Sequence, residues 1–285
     1  MTIKFNGVRV IPCAASGGGN TSTYLNPAGD SQVSLLLHMG GTNNSTTFLD
    51  NSYSPKSIVT NGTAKISTTS SKFGGSSGRF DGSGFLNIPY SSDFDLSSGD
   101  YTIEGWANPG SVSSAMTIIC KHNYAIASDW VFTIENSTSV SYYTNLNYHV
   151  RTVPAISTGT WHHFAVVRNS GSITIYWNGV QAGESIVAPT LNSVSTVAIG
   201  VNRPNSPYWY FDGYIDEIRV SKGIARYTSN FTPPTTSFPN ADGLTLSASP
   251  SVGDVVYSNT TAYICTSTSP VTWKTFSANA VDYVP

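Results

Sequence analysis

From residue 33 onward the chain alternates apolar and polar positions in short runs, and Gly, Asn and Pro break those runs every few residues. Almost no stretch carries apolar residues at helical spacing, so the period-two pattern assigns most of the chain to strands. The alternation predicts strands over 33–39, 65–67, 78–80, 84–88, 101–107, 116–121, 130–135, 139–143 and 145–154, then over 161–168, 172–177, 180–184, 197–200 and 213–220. Two turns join neighbours as hairpins: Asn169-Ser170-Gly171, and Asn178-Gly179, in which both residues tolerate positive φ. Pro89, with no N–H to give a ladder, closes the 84–88 strand. So many short antiparallel strands predict an all-β fold, a two-sheet antiparallel jelly-roll sandwich. Within 213–220, strict alternation sends Tyr214, Asp216, Ile218 and Val220 to one face and Ile215, Glu217 and Arg219 to the other.

The pattern changes at both ends. Residues 1–33 combine one strand-like stretch, 3–11, with the glycine-rich run Gly17-Gly18-Gly19, and read as an N-terminal arm or attachment segment whose strand lacks a partner nearby in sequence. Residues 34–240 hold the sandwich. A short helical turn is expected over 222–227, before Pro233-Pro234. Residues 241–285, with apolar runs at 253–257, 262–265 and 271–274, read as a small β module that leans on a larger neighbour, because so short a unit buries little surface by itself.

Composition narrows the function. Charged residues make up 11% of the chain, less than half of the roughly 25% usual in globular proteins, and Ser, Thr, Asn and Gly take their surface positions. With 14 basic and 16 acidic residues and no Lys/Arg block, neither nucleic acid nor an anionic membrane is an expected partner. Cys13, Cys120 and Cys265 are odd in number and far apart, which argues against both a disulfide framework and a zinc site. The first residues lack a long apolar core behind a basic start, and no run reaches the length of a membrane span, so neither Sec-type secretion nor membrane insertion is expected.

Five segments carry a resemblance, in order and spacing: 34–39 (Ser-Leu-Leu-Leu-His-Met), 72–82 (Lys-Phe-Gly-Gly-Ser-Ser-Gly-Arg-Phe-Asp-Gly), 101–106 (Tyr-Thr-Ile-Glu-Gly-Trp), 161–168 (Trp-His-His-Phe-Ala-Val-Val-Arg) and 213–220 (Gly-Tyr-Ile-Asp-Glu-Ile-Arg-Val). Together they resemble the laminin-G-like branch of the concanavalin A-like lectin/glucanase superfamily. With the tail 221–234 (Ser-Lys-Gly-Ile-Ala-Arg-Tyr-Thr-Ser-Asn-Phe-Thr-Pro-Pro), they also look like modules of tailed-bacteriophage structural proteins. The resemblance implies a jelly roll with function in its loops or on a sheet face, and no particular reaction.

Four candidate sites follow. Glucan-cleaving members of the superfamily carry acids at alternating positions of one strand, whereas Asp216 and Glu217 are adjacent and diverge; Glu104, on another strand, is the remaining partner for Asp216. His162 and His163, side by side on a strand, point to opposite faces and cannot ligate one ion together; structural roles are expected for both. Calcium is the ion that the resemblance implies, with Asp50 and Asp216 as its candidate ligands, set against a reading in which Asp216 fixes loop backbone. The favoured ligand platform is the aromatic run: Tyr208, Trp209 and Tyr210 to stack on sugar rings, with Asn202, Arg203 and Asn205 to bind their hydroxyls. These readings lead to a non-enzymatic bacteriophage virion protein, assembled in the host cytoplasm. It is expected to act as a tail fibre, adhesin or capsid surface protein, to form a homo-oligomer among other virion proteins, and to bind host cell-surface glycans weakly. A purely architectural capsid decoration or fibre module and a polysaccharide hydrolase are the alternatives.

Overall fold

The computed structural model describes residues 30–122, 130–144, 147–189, 191, 194–204 and 207–241 with their side chains, and the strands Ile3–Phe5, Val8–Val10, Val255–Ser258, Thr261–Thr268 and Val271–Ser277 by their backbone. Two antiparallel sheets build the body. The first runs Asn147–Thr152, Ser139–Thr144, Trp130–Asn136, Met116–Lys121, Val197–Ile199, Phe85–Ile88 and Val59–Asn61. The second runs Val180–Gln181, Ser172–Trp177, His162–Asn169, Tyr101–Pro109, Asp212–Lys222, Ser77–Asp81 and Lys65–Ser67, with Ile186–Val187 beside Ser172–Trp177 and Val33–Leu37 beside Asp212–Lys222. The alternating apolar positions of both sheets meet in one core that includes Leu35, Phe80, Leu86, Ile103, Phe132, Phe164, Ile199 and Ile218. Phe132 stacks on Phe164 across it, ring centroids 4.7 Å apart. The expected all-β jelly-roll architecture is thus the observed one.

Asp212–Lys222 organises the second sheet. Along one edge it pairs with Tyr101–Pro109; along the other its first half pairs with Ser77–Asp81 and its second half with Val33–Leu37. Its alternation is interrupted. Asp216 lies opposite Trp106 but Arg219 lies opposite Glu104, so one extra residue sits between them, and Glu217 at the bulge adopts φ 51°. Ile215, Ile218 and Val220 therefore all face the core. The bulge corrects two expectations, that Asp216 and Ile218 share a face and that Asp216 and Glu217 diverge: Asp216, Glu217 and Arg219 all lie on the outward side.

The outward face of the second sheet is itself covered. Residues 222–241 return across it, packing Ala225, Tyr227 and Phe231 on Ala165, Val167 and Tyr176, and Phe238 on Val33 and Leu36. Tyr227 and Phe231 stack with centroids 3.6 Å apart. The backbone of 223–227 runs as bends and extended chain, and the expected helical turn does not form, because the segment is drawn out along the sheet by its partners. Phe231 N–H donates to Gly179 O at 2.9 Å and Gln181 N–H to Asn230 Oδ1 at 2.9 Å.

At the N-terminus, Ile3–Phe5 pairs antiparallel with Val8–Val10, so the arm's strand finds its partner within the same stretch, against expectation. Near the C-terminus, Val255–Ser258, Thr261–Thr268 and Val271–Ser277 pair in that order as a three-stranded meander. No helix among the described residues is long and apolar enough to cross a membrane.

Candidate functional site

The aromatic run lies at the outward face of the first sheet. Gly200 N–H donates to Ile118 O and Phe211 N–H to Gly200 O, both at 2.9 Å, which ties the base of the loop to the sheet. Above that base, Asn202 and Tyr208 exchange backbone hydrogen bonds at 3.0 and 3.2 Å, and Asn202 Nδ2 donates to the Tyr208 hydroxyl at 3.0 Å. The loop is therefore closed on itself. Its four aromatic side chains divide: Phe211 enters the core. Tyr210 lies over an apolar floor of Cys120, Val131, Ala198 and Val201, next to Phe85 and Tyr143. Tyr208 is half-buried, and Trp209 is 38% exposed.

Two side chains that the loop presents are held in left-handed backbone, Arg203 at φ 51° and Trp209 at φ 51°. That conformation costs a non-glycine residue roughly 1–2 kcal/mol, a strain that collects at ligand sites more often than in ordinary loops. Here it sets the indole against Tyr208, centroids 4.8 Å apart, while the Arg203 guanidinium sits 4.9 Å from the Tyr208 ring centre. Of the expected ligand residues, the structure thus gathers Asn202, Arg203, Tyr208, Trp209 and Tyr210 in one loop; Asn205 lies outside the described residues. Asn202 is more buried than a ligand-facing amide was expected to be, and its Oδ1 has no hydrogen-bond partner among the described residues. The contribution of Cys120, Val131, Tyr143 and Ala198 to the floor has no local sequence signal, since each comes from a different strand.

The acidic candidates behave otherwise. Asp216 Oδ2 accepts Lys72 N–H at 2.8 Å and Phe73 N–H at 3.2 Å, and Oδ1 accepts Glu217 N–H at 3.0 Å. Burial pushes its carboxyl up to about 7 against those donors. Asp50 accepts the N–H groups of Leu36, Ser52 and Lys56 and the Ser52 hydroxyl. A calcium ion at either carboxylate would compete with these donors, three backbone N–H groups at Asp216 and three N–H groups and a hydroxyl at Asp50. Among the described residues no group of three or more His, Cys, Asp or Glu side chains could hold a metal ion.

Glu104 is not beside Asp216 in any hydrogen-bonded pair; its partner is Arg219, whose Nε and Nη2 reach Oε1 at 2.9 and 2.7 Å. The Tyr227 hydroxyl donates to Glu104 Oε2 at 2.8 Å, and His163 Nε2 lies 3.5 Å from it. Burial alone would raise the Glu104 carboxyl, but His163, Arg219 and Tyr227 outweigh it and hold it below the usual range. Glu217 turns to the other end of the face, accepting Phe238 N–H and pairing with His38 at 2.9 Å. His162 and His163 diverge as expected: His162 stacks on Trp177 and contacts Ser157 O and Asn178, while His163 is enclosed by Trp106, Tyr227 and Phe231.

Comparison with known proteins agrees with this architecture. No curated protein matches the chain. Among solved structures, the binding domain of botulinum neurotoxin serotype D superposes with a TM-score of 0.50 at 15% identity, covering 69% of this chain and 49% of that one. Domain 4 of AbnA, a GH43 extracellular arabinanase from Geobacillus stearothermophilus, solved in complex with arabinotriose, gives a TM-score of 0.46 at 21% identity, covering 60% of this chain and 84% of that one. The chain spans about half the length of the neurotoxin domain, and at 15% identity that likeness is one of fold. Residues 80–225 match the Laminin_G_3 family model, and by that match the chain belongs to the concanavalin A-like lectin/glucanases superfamily.

Proposed function

We propose that this protein is a non-catalytic, glycan-binding structural component of a bacteriophage virion, a tail fibre, adhesin or capsid surface protein, that engages host cell-surface glycans through the 202–211 loop. The observation that carries the reading is Trp209: a large apolar ring, 38% exposed, held in left-handed backbone beside Tyr208 and Arg203. A flat ring presented in this way suits the apolar face of a sugar, and neighbouring amide and guanidinium groups suit its hydroxyls. The acidic residues support a binding role over hydrolysis, since Glu104 is fully buried against Arg219 and Asp216 is committed to backbone donors. The virion setting is supported by the phage-like wording of 221–234 and by the sparsely charged surface. In a homo-oligomer, weak sites would add up to useful avidity.

A glycan array probed with the wild-type chain and with Trp209→Ala tests the reading. Binding that Trp209→Ala abolishes is the expected result. A folded wild-type protein that binds nothing would overturn it in favour of a purely architectural module, and binding that the substitution leaves intact would overturn the assignment to this loop.

A further inference from the structure

The returning tail is fastened at its far end by a group that titrates. Over 238–241 both its side chains and its backbone hold it to the second sheet. The Phe238 ring packs on Val33 and Leu36, with the Arg219 guanidinium 3.7 Å from its centre. Phe238 N–H donates to Glu217 Oε2 at 2.9 Å, and Ala241 N–H to Asn51 O at 3.2 Å. The Asn240 side chain meets His38 Nε2 through its Oδ1 at 2.9 Å.

His38 thus stands between the tail and the sheet. Its Nδ1 lies 2.9 and 3.0 Å from the two Glu217 carboxylate oxygens while Nε2 faces Asn240, so both ring nitrogens oppose acceptors. Only the imidazolium donates at both. Glu217 is 2% exposed, whereas the His38 side chain is 22% exposed and open to exchange of a proton with solvent. A charged ring gives Glu217 its counter-charge. A neutral ring leaves buried and unpaired the same carboxylate that accepts the tail's Phe238 N–H, which is a costly arrangement. The charged groups that face His38 are Glu217 and Asp216, both acids of the strand Asp212–Lys222, and the tail opposes it with the Asn240 amide. Burial lowers the ring's hold on its proton, but Glu217, Asn240 and Asp216 outweigh it and keep the group above 6.5.

We infer that His38 is a proton-operated latch: with the ring charged it fastens 238–241 to the second sheet, and without the proton that stretch lifts. The last anchor of the tail is then Phe231, stacked on Tyr227 and bonded to Gly179 O. The chain between that anchor and the strands Val255–Ser258, Thr261–Thr268 and Val271–Ser277 gains about ten residues, up to roughly 33 Å of reach. Acid shortens the connection to these strands and alkali lengthens it.

Hydrogen exchange on the intact chain tests this, read as protection factors so that the intrinsic pH dependence of exchange cancels. From about pH 6 to about pH 8 the Phe238 and Ala241 amides should lose at least about fivefold in protection, the size of a weak ion pair, while the Phe231 amide keeps its own. His38→Gln, polar but without the charge, should hold both amides at the low level of the wild type near about pH 8, whatever the pH. Proton and tail are reciprocally linked. Asn240→Ala, which unfastens the tail and leaves His38 and Glu217 in place, should therefore move the NMR titration midpoint of the His38 ring down toward 6.5. Protection of Phe238 that is equal at both pH values, a loss that persists in His38→Gln, protection that this variant leaves high, or a His38 midpoint indifferent to Asn240→Ala overturns the latch. So does a loss shared equally by Phe231, which would mark a response of the whole domain.

Discussion

Replacing Glu104 with Gln keeps the shape of the side chain and removes its charge, and the structure says what that must cost. Glu104 is inaccessible to solvent, and Arg219, 8% exposed, places both Nε and Nη2 on a single carboxylate oxygen. After Glu104→Gln the guanidinium is buried without the charge it pairs with; the amide oxygen can still accept from Arg219, but the Tyr227 hydroxyl must turn from donor to acceptor. Breaking one side of a buried pair in this way costs about 3–5 kcal/mol. At about 2–4 °C per kcal/mol for a domain of this size, the melting temperature should fall by roughly 6–20 °C. Scanning calorimetry at neutral pH, without ligand, measures it. Asp212→Asn is the control, because Asp212 pairs with Arg79 in a half-exposed setting worth at most about 1 kcal/mol. Glu104→Leu combined with Arg219→Met should recover most of the loss, since a packed apolar pair of similar volume dispenses with desolvation. If Glu104→Gln melts with the control, the carboxylate is not the strut beneath the returning tail. Unaltered or raised stability would instead mark a carboxylate kept for chemistry at a cost to the fold.

Two further predictions concern the same face. Asp216 titrates at about 7 when folded against an ordinary 3.8, so the folded state holds its proton more tightly and stability falls as pH rises through that window. His38 is raised above 6.5, burial being outweighed by Glu217, so its contribution is present below that value and is lost as pH climbs through the folded pKa. His122, His149 and His162, held below 6.5 by burial, act in the opposite sense, so the test is a difference: His38→Gln should lower the melting temperature more near about pH 6 than near about pH 8, and an equal or reversed loss refutes the assignment. Gly179→Ala would put a methyl carbon 1.9 Å from Phe231 O and force φ 79° on an L-residue. It should loosen the returning tail, read as faster hydrogen exchange at the Phe231 amide and a loss of about 1–3 kcal/mol.

Asn178-Gly179 shows how far the sequence could be read locally and where locality ends. Positive φ at both residues, 50° and 79°, is what the dipeptide predicts for a hairpin. That the same glycine also makes room for Phe231, more than fifty residues later, has no local sign. The same limit explains the error at Asp216. Strict alternation through 213–220 fails because Glu217 takes a left-handed conformation without a glycine to announce it, yet the apolar spacing is a clue: Ile215, Ile218 and Val220 are separated by three and then two. Read as a bulge, that spacing puts Asp216 and Arg219 on the outward face.

Burial of the charges on that face could not have been read in the same way. Charged side chains are normally taken as surface, and here Glu104, Glu217 and Arg219 are enclosed as residues 222–241 come back over them, and Asp216 as the Lys72–Phe73 backbone caps it. The aromatic loop was legible for the opposite reason, since the rings and polar groups that compose it lie within ten residues of one another. The floor beneath Tyr210 was not, because sheet pairing brings Cys120, Val131, Tyr143 and Ala198 together from separate strands. The division has a functional consequence. One outward face of the sandwich is sealed by the chain's own tail around a buried ion pair, and the other carries half-exposed rings with a strained tryptophan at its rim. Among the described residues the outward face of the first sheet is the one the tail leaves uncovered, and its rings stand there without the buried charges of the other face.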